Sequence, residues 1–165
     1  MDAEIVELFV SGIHRYEGRP ADGPRTDEFD ASVERVQFRA HLGAVGDRYF
    51  GNRAHTFASV TIQSVEQLER VAAELEVPTP GLRQTRRTIL TRGLAIDDMR
   101  HAVFSLDTGQ GPVWFRAHRP ANPCAWMNET VGPGAHRALR GAGGMRCEPL
   151  TDGALRVGPL RIGVN

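Results

Sequence analysis

Apolar and polar positions alternate in short bursts along most of this chain, and only one stretch settles into a long helical rhythm. Glu4 to Ile13 is rich in Val, Leu, Ile and Phe and predicts a strand that stops at Ser11-Gly12. Glu17 to Arg35 is polar, carries Gly18, Pro20, Gly23 and Pro24, and predicts a long surface loop. Val33 to Leu42 alternates through Val33, Val36, Phe38 and Ala40 and predicts a second strand, followed by a glycine-bounded turn over 43–48. Ala54 to Gln63, with Phe57, Val60 and Ile62 among Thr and Ser, predicts another strand. At Ser64 the period changes. Val65, Leu68, Val71, Ala72 and Leu75 form one apolar stripe at helical spacing, Ser64 and Gln67 have capping-box spacing, and Pro78 and Pro80 close the segment. That stripe is a core-facing surface and carries no chemistry of its own.

The second half continues in short units. Thr88 to Thr91 predicts a strand and Ile96 to Arg100 a helical turn. Ala102 to Leu106 and Val113 to Ala117 predict a hairpin around 107–111. Cys124 to Glu129 and Gly134 to Leu139 predict short helices, and Arg146 to Val164 a closing meander with turns at Asp152-Gly153 and Gly158-Pro159. Many short strands with Gly/Pro turns and one long helix predict a mainly β (α+β) fold. Its expected form is a strongly bent mixed sheet or barrel of short strands with a few peripheral helices, not a parallel βαβ sheet.

Composition adds little to the fold and more to the function. At 165 residues the chain is most simply one domain, 1–165, long enough to bury a core without a disulfide or metal. A charged fraction of 24% with 20 basic and 20 acidic residues leaves no net field that would select nucleic acid or a membrane surface. Every basic residue apart from histidine is arginine, whose planar fork fits phosphate and carboxylate. Without an apolar leader or spanning run, and with only Cys124 and Cys147, the expectation is a cytoplasmic protein with free thiols. No CxxC or HExxH spacing points to a zinc site.

The segment His118-Arg119-Pro120-Ala121-Asn122-Pro123-Cys124-Ala125-Trp126-Met127 is the most suggestive chemically. It holds a cysteine between a proline-stiffened turn and a predicted helix start, close to Arg116, His118 and Arg119. Such a thiol is either a nucleophile or soft-metal ligand, or a small buried hydrophobe. His118 either tunes that thiol and moves protons, or pairs with the backbone at a strand end. Asn122 either donates to a substrate oxygen or caps the turn. Cys147, in an alternating strand, reads as structural.

Several stretches, in order, resemble the MOSC domain, named from the C-terminal part of molybdenum-cofactor sulfurases. They are Ser11 to Pro20, Gly46-Asp47-Arg48-Tyr49, Arg86 to Leu94 (where the family commonly has Arg-Arg-Asn-Ile), Asn122-Pro123-Cys124, Leu139 to Arg146 and Gly153 to Gly158. The resemblance spans nearly the whole chain and implies a MOSC-like β-barrel that binds the molybdenum cofactor (molybdopterin). It implies Cys124 as the molybdenum ligand or sulfur-carrying residue. His14, Arg15, Arg48, Arg86, Arg87 and Thr88 are implied around the cofactor, with Thr88 where an amide is common. The activity implied is reduction of N-hydroxylated or N-oxide compounds, a small-molecule substrate, with electrons from a separate donor protein. The alternative implied is a persulfide carrier loaded by a cysteine desulfurase.

Overall fold

The computed structural model describes residues 2–13, 18–23 and 31–165. The described residues hold twelve strands. β1 (Glu4–Phe9), β2 (Ser32–Val33), β3 (Arg35–Arg39) and β4 (Gly43–Ala44) come first. β5 (Val60–Ser64) leads directly into helix α1 (Val65–Leu75), which is followed by the short helix α2 (Leu82–Thr85) and β6 (Ile89–Arg92). The hairpin β7 (Val103–Asp107) and β8 (Val113–Pro120) precedes helices α3 (Trp126–Thr130) and α4 (Ala135–Ala138). The chain then adds β9 (Met145–Pro149), β10 (Gly153–Arg156), β11 (Gly158–Pro159) and β12 (Arg161–Val164).

Nine strands make one curled sheet in the order β11-β1-β6-β5-β9-β8-β7-β12, with β2 also on β1, and a second sheet runs β10-β3-β4. The β5–β6 pair is parallel and the rest are antiparallel, so the sheet is mixed, as the pattern predicts. The inner face of the curl carries Ile5, Leu8, Ile62, Ile89, Phe115 and Cys147. The small sheet closes over it with Val36, Phe38 and Leu155, and Phe38 meets Phe115 edge to face at 5.4 Å between centroids. The outer face is divided. Over one half, α1 and the short helices bury Leu68, Val71, Leu82, Trp126 and Leu139 against Phe9 and Leu90. The other half is polar and carries the candidate site.

Four local expectations are corrected. Residues 54–58 lie in a 3-10 segment (Arg53–Ala58), and only Val60 onward is strand. The Thr-Phe-Ala-Ser-Val spacing mimics alternation, but Asn52 caps the segment by accepting from the Ala54 N–H. The Ser64–Gln67 capping box is not formed, because Ser64 Oγ donates to Glu66 Oε2 at 2.7 Å. Helix α1 stops two residues before Pro78, where Glu76 turns left-handed at φ 53° and donates to the Ala72 and Ala73 carbonyls. The closing segment is no meander: β9 sits mid-sheet, β10 pairs β3, β11 pairs β1 and β12 pairs β7.

Cys147 is fully buried in the inner core, as its alternating strand suggests, and burial pushes its thiol above the ordinary range. The unfolded chain ionises this thiol above about pH 8.5 and the folded chain cannot, so stability is complete below that pH and falls as pH rises. The expected slope is about 1.4 kcal/mol per pH unit. Between pH 8 and 10 the parent should lose about 2 kcal/mol more than Cys147→Ala in urea unfolding, and equal losses would contradict this assignment.

Candidate functional site

The polar half of the outer face is a row fixed by strand register. The Phe9 N–H donates to the Thr88 carbonyl, and the Thr88 N–H donates to the Thr61 carbonyl, each at 2.9 Å. Thr61 faces Arg146 across β5–β9, and Arg146 faces Arg119 across β9–β8. Alternation requires all of these to point away from the core that takes their neighbours Leu8, Ile62, Met145 and Cys147. Thr88 uses its hydroxyl within the sheet, where Oγ1 accepts from the Thr61 N–H at 3.1 Å. Two positions along β5 on the same face, Gln63 is buried and its Oε1 has no hydrogen-bond partner among the described residues.

A buried arginine organises one end of the row. Arg86 caps α2 in the left-handed region at φ 60°, which folds its side chain back over the Phe9 ring. Its guanidinium donates to Ser11 Oγ at 3.0 Å and to the Ile13 carbonyl at 2.9 Å. Arg48 lies beside it, bonded to Asp47 Oδ1 and to the Arg86 carbonyl, each at 3.3 Å, and stacked on Tyr49. Burial raises the Asp47 carboxyl above its ordinary range, against the opposing pull of Arg48 and the Tyr49 and Ser11 N–H groups. Arg48 and Arg86 thus meet in the structure, and both spend part of their donor capacity on the Ser11–Asp47 framework. His14 and Arg15 lie outside the described residues.

Arg87 holds the cysteine loop. Its Nε donates to the Gly143 carbonyl at 3.1 Å and its Nη2 to the Asn122 carbonyl at 3.5 Å. The Ala121 N–H donates to the Gly144 carbonyl at 2.8 Å, and the Gly144 N–H to Asp97 Oδ1 at 3.0 Å. Cys124, two residues past the Arg87 contact, is exposed, and so is Asn122. The buried-hydrophobe reading therefore fails for Cys124. Helix α3 begins after it, as the predicted helix start requires, and is only five residues long.

His118 sits at a bulge of β8, where the register shifts between Ala117 and Arg119. Its Nε2 lies 2.9 Å from Glu148 Oε2, and the other carboxylate oxygen lies 2.7 Å from His41 Nδ1. Glu148 is buried, and a carboxylate only accepts, so it orients both rings by taking one N–H from each. Neither Glu148 nor His41 has a local sequence signature: they lie 30 and 77 positions from His118 and come together with it only in the folded sheet. Phe57 covers the His118 ring at 4.7 Å, and these two with Arg53, Thr56 and Arg119 line a cavity of about 440 Å³. Among the described residues, no cluster of three His, Cys, Asp or Glu side chains suits a metal ion.

Neither a protein-family model nor a curated protein matches the sequence. Solved structures do match its shape. The YuaD protein from Bacillus subtilis superposes with a TM-score of 0.75 at 15% identity, over 99% of this chain and 96% of that one. The fold is MOSC-like. YiiM from Geobacillus stearothermophilus (TM-score 0.63, 12% identity, 99% of this chain and 75% of that one) has the same architecture. So does YiiM from Escherichia coli (0.59, 13%, 98% and 69%). YuaD and YiiM are MOSC-domain proteins. The expected MOSC-like fold is thereby borne out. No helix among the described residues is long and apolar enough to cross a membrane.

Proposed function

We propose that this chain is a MOSC-domain protein that binds the molybdenum cofactor through Cys124 and reduces N-hydroxylated or N-oxide compounds. The observation that carries this reading is an exposed thiol on a loop clamped by Arg87, beside a polar sheet face rich in arginine, within a MOSC-like fold.

The residues present fit such a group. A dithiolene-bound molybdenum takes one further soft ligand, which a single thiolate supplies without a cage of side chains. The unpartnered Gln63 Oε1 can accept from an N–H of a bound heterocycle, and a buried acceptor left unpaired is costly. In this reading Cys124 holds the metal, and His14, Arg15, Arg48, Arg86, Arg87 and Thr88 surround the cofactor. Bound there, the group supplies two-electron redox chemistry at a soft metal. The net change, an N-hydroxy compound to amine and water, consumes two electrons and two protons. A separate electron-donor protein gives the electrons, since the sequence carries no flavin, haem or iron–sulfur motif. His118, oriented by Glu148, holds a proton at Nε2 and leaves Nδ1 for exchange at the cavity. Asn122, exposed beside the thiol, is suited to donate to the substrate oxygen.

The exposure of Cys124 also favours a second reading, a persulfide carrier, because a partner protein must reach the sulfur directly. Purified protein from a cofactor-producing host, given reduced viologen and an aromatic N-hydroxy compound, is expected to form the amine. Molybdenum-loaded protein without turnover would contradict the reductase. Cyanide-labile sulfur on Cys124 of metal-free protein would favour the carrier.

A further inference from the structure

Arg119 and Arg146 stand directly opposite each other on adjacent antiparallel strands. Facing residues in such a pair lie about 4.5–5.5 Å apart at Cα, and like charges placed there repel. Arg146 is half-buried, and burial together with the Arg119 charge disfavours its cation, with the Tyr49 phenol alone pulling the other way. Some arginines of the chain have carboxylates: Arg39 has Asp152, Arg48 has Asp47, Arg92 has Glu69, and Arg161 has Asp107. Among the described residues neither Arg119 nor Arg146 has a hydrogen bond or an ion pair. Glu148, a buried carboxylate two positions beyond Arg146 on β9, already serves two histidines.

Two facing guanidinium groups with no carboxylate partner among the described residues form a site for an anion brought from outside. Arg119 also lines the 440 Å³ cavity, whose other walls include the stacked Phe57 and His118 rings. That volume suits a small organic molecule. Phe57 is 62% exposed, so the part of its ring not stacked on His118 is open to a ligand in the cavity.

We propose that Arg119 and Arg146 hold a carboxylate or phosphate borne by the substrate, whose planar apolar part lies against Phe57 and His118. The substrate class is therefore an anionic aromatic or heteroaromatic compound. This inference rests on the reading of this face as the reaction site, but its binding test requires no cofactor.

Benzoate and its neutral isostere benzamide are the probes, titrated into the purified full-length chain and followed by NMR. Benzoate is expected to shift the Arg119 and Arg146 Nε–H signals and the Phe57 ring signals saturably. Benzamide should bind about tenfold or more weakly, and Arg119→Gln and Arg146→Gln should each weaken benzoate by a similar factor, with Arg146→Lys retaining more than Arg146→Gln. Equal binding of the two probes, or unchanged benzoate binding in both Gln variants, would overturn the proposal. Arg119 is exposed, so its variant tests the site even if Arg146→Gln fails to fold. A cofactor phosphate is the other possible source of the anion. Protein from a cofactor-producing host distinguishes them: Arg119→Gln should keep the parent's pterin content, and loss of pterin would assign the pair to the cofactor and overturn the substrate role.

Discussion

Cys124→Ala protein from a cofactor-producing host is expected to carry less than about a tenth of the parent's molybdenum, since a single thiolate is the one protein ligand proposed for the metal. Its stability should stay within about 0.5 kcal/mol of the parent, because the side chain is exposed and packs into neither core. The two readouts together separate a ligand from a structural residue. A variant that retains its metal and its reductase activity would remove Cys124 from the site. One that unfolds would mean that the loop depends on the thiol for reasons its exposure does not suggest.

The second large effect is expected on the other side of the same loop. A Cβ added at Gly143 would collide with the Ala121 carbonyl oxygen, and one at Gly144 with the Ile62 carbonyl oxygen. Both obstacles are backbone, so neither yields by a rotamer change. Gly144 also has φ 90°, where side chains are strained. Gly143 lets the segment before β9 pass close to the Ala121–Cys124 loop, where Arg87 ties both together, and Gly144 lets it pass close to β5. Gly143→Ala should cost about 3 kcal/mol or more, a fall in Tm of roughly 6–12 °C for a chain this size. It should also loosen the cysteine loop, so that any molybdenum bound at lower temperature is lost more readily than from the parent. A Tm within about 2 °C of the parent would show that the loop moves aside freely, and the clamp described here would be wrong.

The sequence carried the elements whose pattern is local. The stripe from Val65 to Leu75, the β7–β8 hairpin and the strand opening at Glu4 follow from spacing within one helix, one hairpin and one strand, and they lie close to where that spacing puts them. Arg53–Ala58 did not, because a capped 3-10 turn with one aromatic ring has the same apolar rhythm as a strand. The final four strands were visible, but their partners were not. β9, β10, β11 and β12 disperse to four places set by pairing with residues far away in sequence.

The same division runs through the site. The cysteine stood out from its prolines and basic neighbours, and Arg48 and Arg86 entered through the family resemblance and meet in the structure. Thr61, Gln63, His41 and Glu148 had no local signature. Their roles come from register: Thr61 through its contact with Thr88, and Glu148 because β9 lies beside β8 and carries it under His118. The facing of Arg119 and Arg146 is likewise a fact of pairing, invisible in two arginines 27 positions apart.

The proposed chemistry requires that this arginine-rich face, with Cys124 at its edge, receive a molybdenum cofactor. Metal and pterin analysis of the parent protein, purified from a host that makes the cofactor in excess, tests it most directly. Close to one molybdenum and one pterin per chain are expected. Protein that emerges folded, with its thiol free and with neither molybdenum nor pterin, would contradict it.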